Sequence, residues 1–163
     1  MPKDIQYSGN AFAGAWGKAA VSAGSSDSIV TCVKELGIEA VNADQTLEPN
    51  SLLIGDIPDN LPEAPEQKEG YALAITEQTI VLRGHDEDGF RSGLNTLLQL
   101  TNYYGDKVPC LTINDWPTFS FRVHHDDISR KQVSTVPDFK KLMERLAYYK
   151  FNGYTLYIED TLH

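Results

Sequence analysis

The sequence predicts an α+β chain in two parts. Residues 1–115 read as a small accessory domain whose largely antiparallel sheet is packed by helices, and residues 116–163 as an incomplete β-α-β start of a TIM barrel. Three observations carry this. Tyr71 to Ile75 and Thr79 to Leu82 alternate around Glu77-Gln78, the pattern of a hairpin with one buried face. Phe90, Leu94, Leu97 and Leu98 then fall on a single helical stripe. The last third, from Asp115 to His163, runs strand, helix, strand at the lengths of a right-handed parallel crossover. Two strands cannot close a barrel, and the eight-stranded form takes roughly 250 residues, so this part is expected to open a larger enzyme domain.

The elements follow in order. Ile29, Val30, Val33 and Leu36 recur at helical spacing, with Gly37 placed to stop the helix. Ile38 to Val41 and Ser51 to Ile57 read as strands across a polar turn with Pro49 and Asn50, and Pro58 to Lys68 as an exposed, Pro-rich acidic loop. After the hairpin, Asp86, Glu87 and Asp88 sit where a helix N-terminus favours anions, ahead of a helix over Gly89 to Leu100. Gly89 and Gly93, four apart, permit a close approach to the sheet. Val108 to Ile113 ends the first part as a strand, and Asn114 to Pro117 marks the boundary. Phe121 to Ile128 is the next strand. Thr135, Pro137 and Asp138 start a helix that carries Phe139, Leu142, Met143, Leu146 and Ala147 on one face; Asn152-Gly153 ends it before a strand over Tyr154 to Ile158.

Composition narrows the function. A hydrophobic fraction of 41% against 23% charged residues is that of a globular chain. The net charge of −9, with no basic run, argues against nucleic acid and against an anionic membrane surface as partners. Residues 11–24 are rich in Ala and Gly, but Lys18 interrupts them and no basic segment precedes them, which makes a poor signal peptide; no stretch approaches membrane-span length. Cys32 and Cys110 lack any metal or redox spacing and are expected as buried free thiols.

Polar groups gather after the two late strands: Asp126, Asp127, Ser129 and Arg130 after the first, Glu159, Asp160 and His163 after the second. Ligands of parallel α/β sheets and barrels sit at C-terminal strand ends. Neighbouring strands lie about 4.8 Å apart. Arg130 and Asp160 can therefore face one ligand, and a guanidinium fork beside a carboxylate suits the vicinal diol of a sugar. The same spacing also suits a structural Arg–Asp ion pair. His124-His125-Asp126-Asp127 is a weak metal motif, because alternation leaves at most two of the four on one face. Asp86-Glu87-Asp88-Gly89 lacks the spacing of a calcium loop and reads as a helix cap. No cofactor or metal site is expected.

Glu69-Gly70-Tyr71-Ala72-Leu73 with Ile75, Ile80-Val81-Leu82, and the run from Gly89 to Leu100 resemble the accessory domain that precedes the barrel in family 20 glycoside hydrolases, the β-N-acetylhexosaminidases. Ile113 to Pro117, Phe121-Arg122, Asp127 to Arg130 and Tyr149 to Asn152 resemble the start of their barrel. The resemblance implies a parent enzyme that removes terminal N-acetylhexosamine with retention, using the substrate's acetamide oxygen as nucleophile. It assigns Arg130 and Asp160 to the sugar hydroxyls. It puts the catalytic Asp–Glu pair on a later strand, so none of the catalytic residues is expected here and the 163 residues alone are expected to be inactive. Three positions depart from the family pattern: Val123 for Gly, Tyr157 for His, and Thr161 for the second Asp of an acidic pair. The competing reading is a non-catalytic carbohydrate-binding or scaffold module. Strand edges left open in the last third would favour an edge-strand dimer.

Overall fold

A computed structural model describes residues 2–12, 18–21, 27–35, 38–42, 51–54, 63–129 and 133–159. The chain divides into two compact units, Met1–Pro117 and Thr118–His163.

The first unit is built on a seven-stranded mixed sheet. Its strands are β1 (Asp4–Ala11), β2 (Lys18–Val21), β3 (Glu39–Asn42), β4 (Ser51–Ile54), β5 (Tyr71–Ile75), β6 (Thr79–Gly84) and β7 (Pro109–Asp115), in the spatial order β1-β7-β5-β6-β4-β2-β3. The antiparallel ladders are the longer ones and join β1, β7, β5 and β6; β6, β4, β2 and β3 run parallel to one another. The α+β class with a mostly antiparallel sheet thus holds, and the parallel half is the addition. Neither β1 nor β2 has a strand signal of its own.

Helices α1 (Asp27–Glu35) and α2 (Glu87–Tyr104) supply the apolar stripes that cover the core. Ile29, Val33, Leu94 and Leu97 pack with Leu52, Ile54, Tyr71, Leu73, Ile75, Ile80, Leu82, Leu111 and Ile113. Cross-strand register explains this set: Leu73 lies between Leu82 and Ile113, and Ile75 between Ile80 and Leu111, so one face of three strands is apolar throughout. Each such side chain contributes about 1.5–3 kcal/mol on burial. The hairpin differs from expectation in being enclosed on both faces. All five β5 residues are buried, because Ala72 and Ala74 are small and lie beside Val81 and Thr112 on the second face.

α2 begins earlier and ends later than its apolar stripe, with Asp86 as its cap. Asp86 Oδ1 accepts the Gly89 N–H at 2.7 Å and Oδ2 the Glu69 N–H at 3.0 Å, so one carboxylate fixes both the helix start and the preceding turn. Glu69 holds a left-handed φ of 60° in that turn. The two glycines act as the spacing suggested. A Cβ at Gly89 would overlap the Gly70 carbonyl oxygen, and one at Gly93 would overlap Leu82. Tyr71 crosses from β5 to α2 and β7: its hydroxyl bonds Thr96 Oγ1 at 2.7 Å and donates to Asp115 Oδ2 at 3.0 Å. Cys110 is buried as expected, whereas Cys32 is only half-buried, on the rim of α1. The stop assigned to Gly37 and the loop over residues 58–62 lie outside the described residues.

The second unit is a parallel pair, β8 (Val123–Asp127) and β9 (Gly153–Tyr157), joined through α3 (Val136–Tyr148). Thr135 caps α3, accepting the Asp138 N–H, and Pro137 stands in its first turn. The helix stops at Tyr149 and Lys150, the latter with φ 61°, rather than at Asn152-Gly153; Gly153 is already the first residue of β9. At the N-terminal ends of the strands Arg122 and Asn152 clasp one another. Arg122 N–H donates to Asn152 Oδ1 at 2.9 Å and Asn152 N–H to Arg122 O at 3.0 Å, while the guanidinium Nε donates to Lys150 O at 2.6 Å. That last bond helps to hold the left-handed turn.

Candidate sugar-binding strand ends

The register of the parallel pair aligns Val123 with Gly153 and Asp127 with Tyr157. Both strands therefore end level. Arg130 and Asp160 each follow a paired end by three residues in the sequence, and both lie outside the described residues, as does His163.

Alternation sorts the described polar groups onto two faces. Phe139 of α3 packs edge-on to the Tyr154 ring at 4.9 Å, so the helix covers the side that also bears His124 and Asp126. On that side the His124 ring stacks on Tyr154 at 5.7 Å, and the Tyr154 hydroxyl donates to Asp126 Oδ2 at 2.7 Å. Desolvation, then the bond to Asp126 and its charge, push the Tyr154 hydroxyl up to about 12. These contacts occupy His124 and Asp126 in packing.

The opposite face carries His125, Asp127, Thr155 and Tyr157. His125 Nδ1 lies 2.8 Å from Thr155 Oγ1, and its ring is 6.3 Å from that of Tyr157. Asp127 Oδ1 accepts from both the backbone N–H and the hydroxyl of Ser129, which closes a tight turn at the strand end. Tyr157 donates its hydroxyl to Glu159 Oε1 at 2.8 Å. That bond, with desolvation and the Asp127 charge behind it, raises the Tyr157 pKa and keeps it a donor. Glu159 holds φ 42°, a left-handed conformation rare for a residue with a side chain. The strand ends thus present carboxylates and hydroxyls, the groups that exchange hydrogen bonds with a polyhydroxylated ligand. Among the described residues no group of three or more His, Cys, Asp and Glu is placed to hold a metal ion.

Of the residues named from the sequence, Asp127, Ser129 and Glu159 come together at this end and Asp126 does not, since it faces α3. His125, Thr155 and Tyr157 join the site without having been singled out for it. Alternation from Asp127 and Glu159 was the signal that would have found them.

A family model described as glycosyl hydrolase family 20, domain 2, matches residues 2–116. A β-hexosaminidase of Akkermansia muciniphila is 32% identical over 97 residues, 58% of this chain and 20% of its own length. A β-N-acetylhexosaminidase of Cellulomonas fimi is 30% identical over 101 residues, 60% of this chain and 20% of its own length. The aligned region is thus about a fifth of these relatives. In fold, the chain is similar over 96% of its length to a GH20 exo β-N-acetylglucosaminidase from Vibrio harveyi in complex with N-acetylglucosamine, with a TM-score of 0.71, 22% identity and 24% of that chain covered. A β-N-acetylhexosaminidase from Bacteroides fragilis superposes with a TM-score of 0.71 at 22% identity, with 96% of this chain and 32% of that one covered.

Proposed function

We propose, for a chain that belongs to glycosyl hydrolase family 20 through that family's domain 2, that it is the N-terminal part of a glycosidase which removes terminal N-acetylhexosamine from glycans. Residues 1–115 serve as the accessory domain, and residues 116–163 as the first strand–helix–strand unit of the catalytic (β/α)8 barrel. In this reading the substrate's acetamide oxygen attacks its own anomeric carbon and displaces the aglycone, a Glu elsewhere in the barrel protonates the leaving oxygen, and an Asp beside it steadies the acetamide. Arg130 and Asp160 hold the hydroxyls of the terminal sugar.

The level ending of β8 and β9 supports this most. Their paired termini, Asp127 and Tyr157, stand three residues before Arg130 and Asp160, so a guanidinium and a carboxylate leave adjacent strands at the same depth. The 163-residue chain alone is expected to show no hydrolysis of an aryl β-N-acetylglucosaminide. Turnover by pure chain would overturn the assignment of catalysis to other residues. In the enzyme that carries this chain, Arg130→Ala and Asp160→Ala each lower kcat/KM by roughly a hundredfold, the loss of a charged hydrogen bond to substrate. Unchanged kcat/KM in both would leave a scaffold role.

The isolated chain also has a route to self-association. Phe121, Val123, Leu156 and Tyr157 are exposed on a two-stranded sheet, and open edges template pairing with another strand. Sedimentation of the chain is expected to show a dimer weakened by Val123→Lys; a monomer at all concentrations would refute it.

A further inference from the structure

Two of the departures from the family pattern meet in space. Tyr157 stands where the family carries His, and its hydroxyl donates at 2.8 Å to Glu159. Thr161 stands where the family has the second acid of a pair, and Glu159 restores an acid on the other side of Asp160. The acidic pair has thereby moved one residue toward the strand, and the residue that binds the moved carboxylate is itself one of the substitutions.

The local backbone points the same way. Glu159 is exposed and keeps φ 42° at the first turn after β9, a conformation that costs energy unless its surroundings hold it. The bond to Tyr157 is one such hold. Tyr157 is in turn flanked by the His125 ring, which Thr155 engages through Nδ1, and stands directly across from Asp127, whose own turn ties it to Ser129. A carboxylate held this way is pre-oriented, and with one oxygen on a tyrosine it retains capacity for further donors, since an ionised carboxylate accepts about four hydrogen bonds.

Resting on the family reading above, we propose that Glu159 is a second carboxylate for the terminal sugar, accepting a ring hydroxyl beside the one taken by Asp160, and that Tyr157 is its positioning residue. Glu159 sets which hydroxyl arrangement is accepted, because a carboxylate left without its donor in the site rejects the wrong epimer. Tyr157 acts only through Glu159.

The test uses the enzyme that carries this chain, with aryl β-N-acetylglucosaminide and aryl β-N-acetylgalactosaminide as probes. Glu159→Gln is expected to raise KM for the preferred epimer about tenfold, with a smaller change in kcat, and to narrow the ratio between the two epimers. Tyr157→Phe, which keeps the ring, is expected to reproduce a part of this shift. Tyr157→Phe added to Glu159→Gln is expected to do no more than Glu159→Gln alone, the signature of residues acting as a unit. If Arg130→Ala abolishes activity while KM and the epimer ratio are unmoved in both Glu159→Gln and Tyr157→Phe, the inference is overturned and the family reading stands. If Arg130→Ala is also without effect, both fall. Additive losses in the double variant would overturn the positioning role of Tyr157.

Discussion

In the first unit β5 buries every one of its side chains, and Leu73 at its centre is wholly enclosed. In the second unit no described residue is buried: α3 has none, and Phe121 beside β8 is 83% exposed. The two units have the same kinds of elements, with capped amphipathic helices lying on strands. The difference is in the number of layers and neighbours. A seven-stranded sheet with two helices encloses a core, whereas one helix on two strands leaves apolar groups such as Val136, Tyr149 and Leu156 in contact with solvent. The second unit keeps its shape instead through polar ties, the Arg122–Asn152 clasp at one end and the Asp127, Tyr154 and Tyr157 bonds along and at the other. Packing gives the first unit its stability, and hydrogen bonds give the second its geometry.

Substitutions sharpen this contrast. The largest effect is expected from Gly89→Ala, whose methyl group would meet the Gly70 backbone carbonyl and has no flexible side chain to displace; about 3 kcal/mol or more is expected in denaturant unfolding of the first unit. Leu73→Ala should cost roughly 2–5 kcal/mol there, whereas Leu146→Ala in half-buried α3 should cost about 1 kcal/mol or less. Equal losses at Leu73 and Leu146 would erase the distinction. Tyr71→Phe should cost about 1–3 kcal/mol, because Thr96 and Asp115 lose a buried partner.

Alkali separates the units more gently. Both Tyr71 and Tyr154 have raised pKa values in the folded chain, Tyr71 chiefly through burial and the nearby Asp115 charge, Tyr154 to about 12. A group raised above its unfolded value near 10 stabilises fully below that pH and loses its contribution as pH rises through the folded value. Tyrosinate absorbance should therefore rise around pH 10 for exposed rings such as Tyr103, near 12 for Tyr154, and for Tyr71 only on unfolding. The smallest effect is in thiol labelling: half-buried Cys32 should react before Cys110, whose buried thiol is raised by desolvation and the Glu77 charge.

Much of this was legible in the sequence, and the gaps have physical causes. α2 and α3 carry their own caps and stripes, so Asp86 and Thr135 announce them. β1, with the mostly polar sequence DIQYSGNA, is a strand only because β7 offers it an edge. β2 is four short residues whose partners β3 and β4 lie far along the chain, so the parallel half of the sheet left no local trace. In β5 the Tyr-Ala-Leu-Ala-Ile run was taken for one buried face because small Ala and polar residues alternate alike with large ones. At the strand ends, alternation separates Asp126 from Asp127. The Tyr157–Glu159 bond was not readable, because it depends on Glu159 adopting a left-handed turn that its residue type does not favour.

Native-state hydrogen exchange on the 163-residue chain tests the contrast most directly. Amides of β5, β6 and β7 should exchange only through global opening of the first unit, and those of β8, β9 and α3 through a separate opening of much lower free energy. Protection of β8 and β9 equal to that of β5 in a monomeric chain would contradict it, because the second unit would then possess a core that its exposed side chains say it lacks.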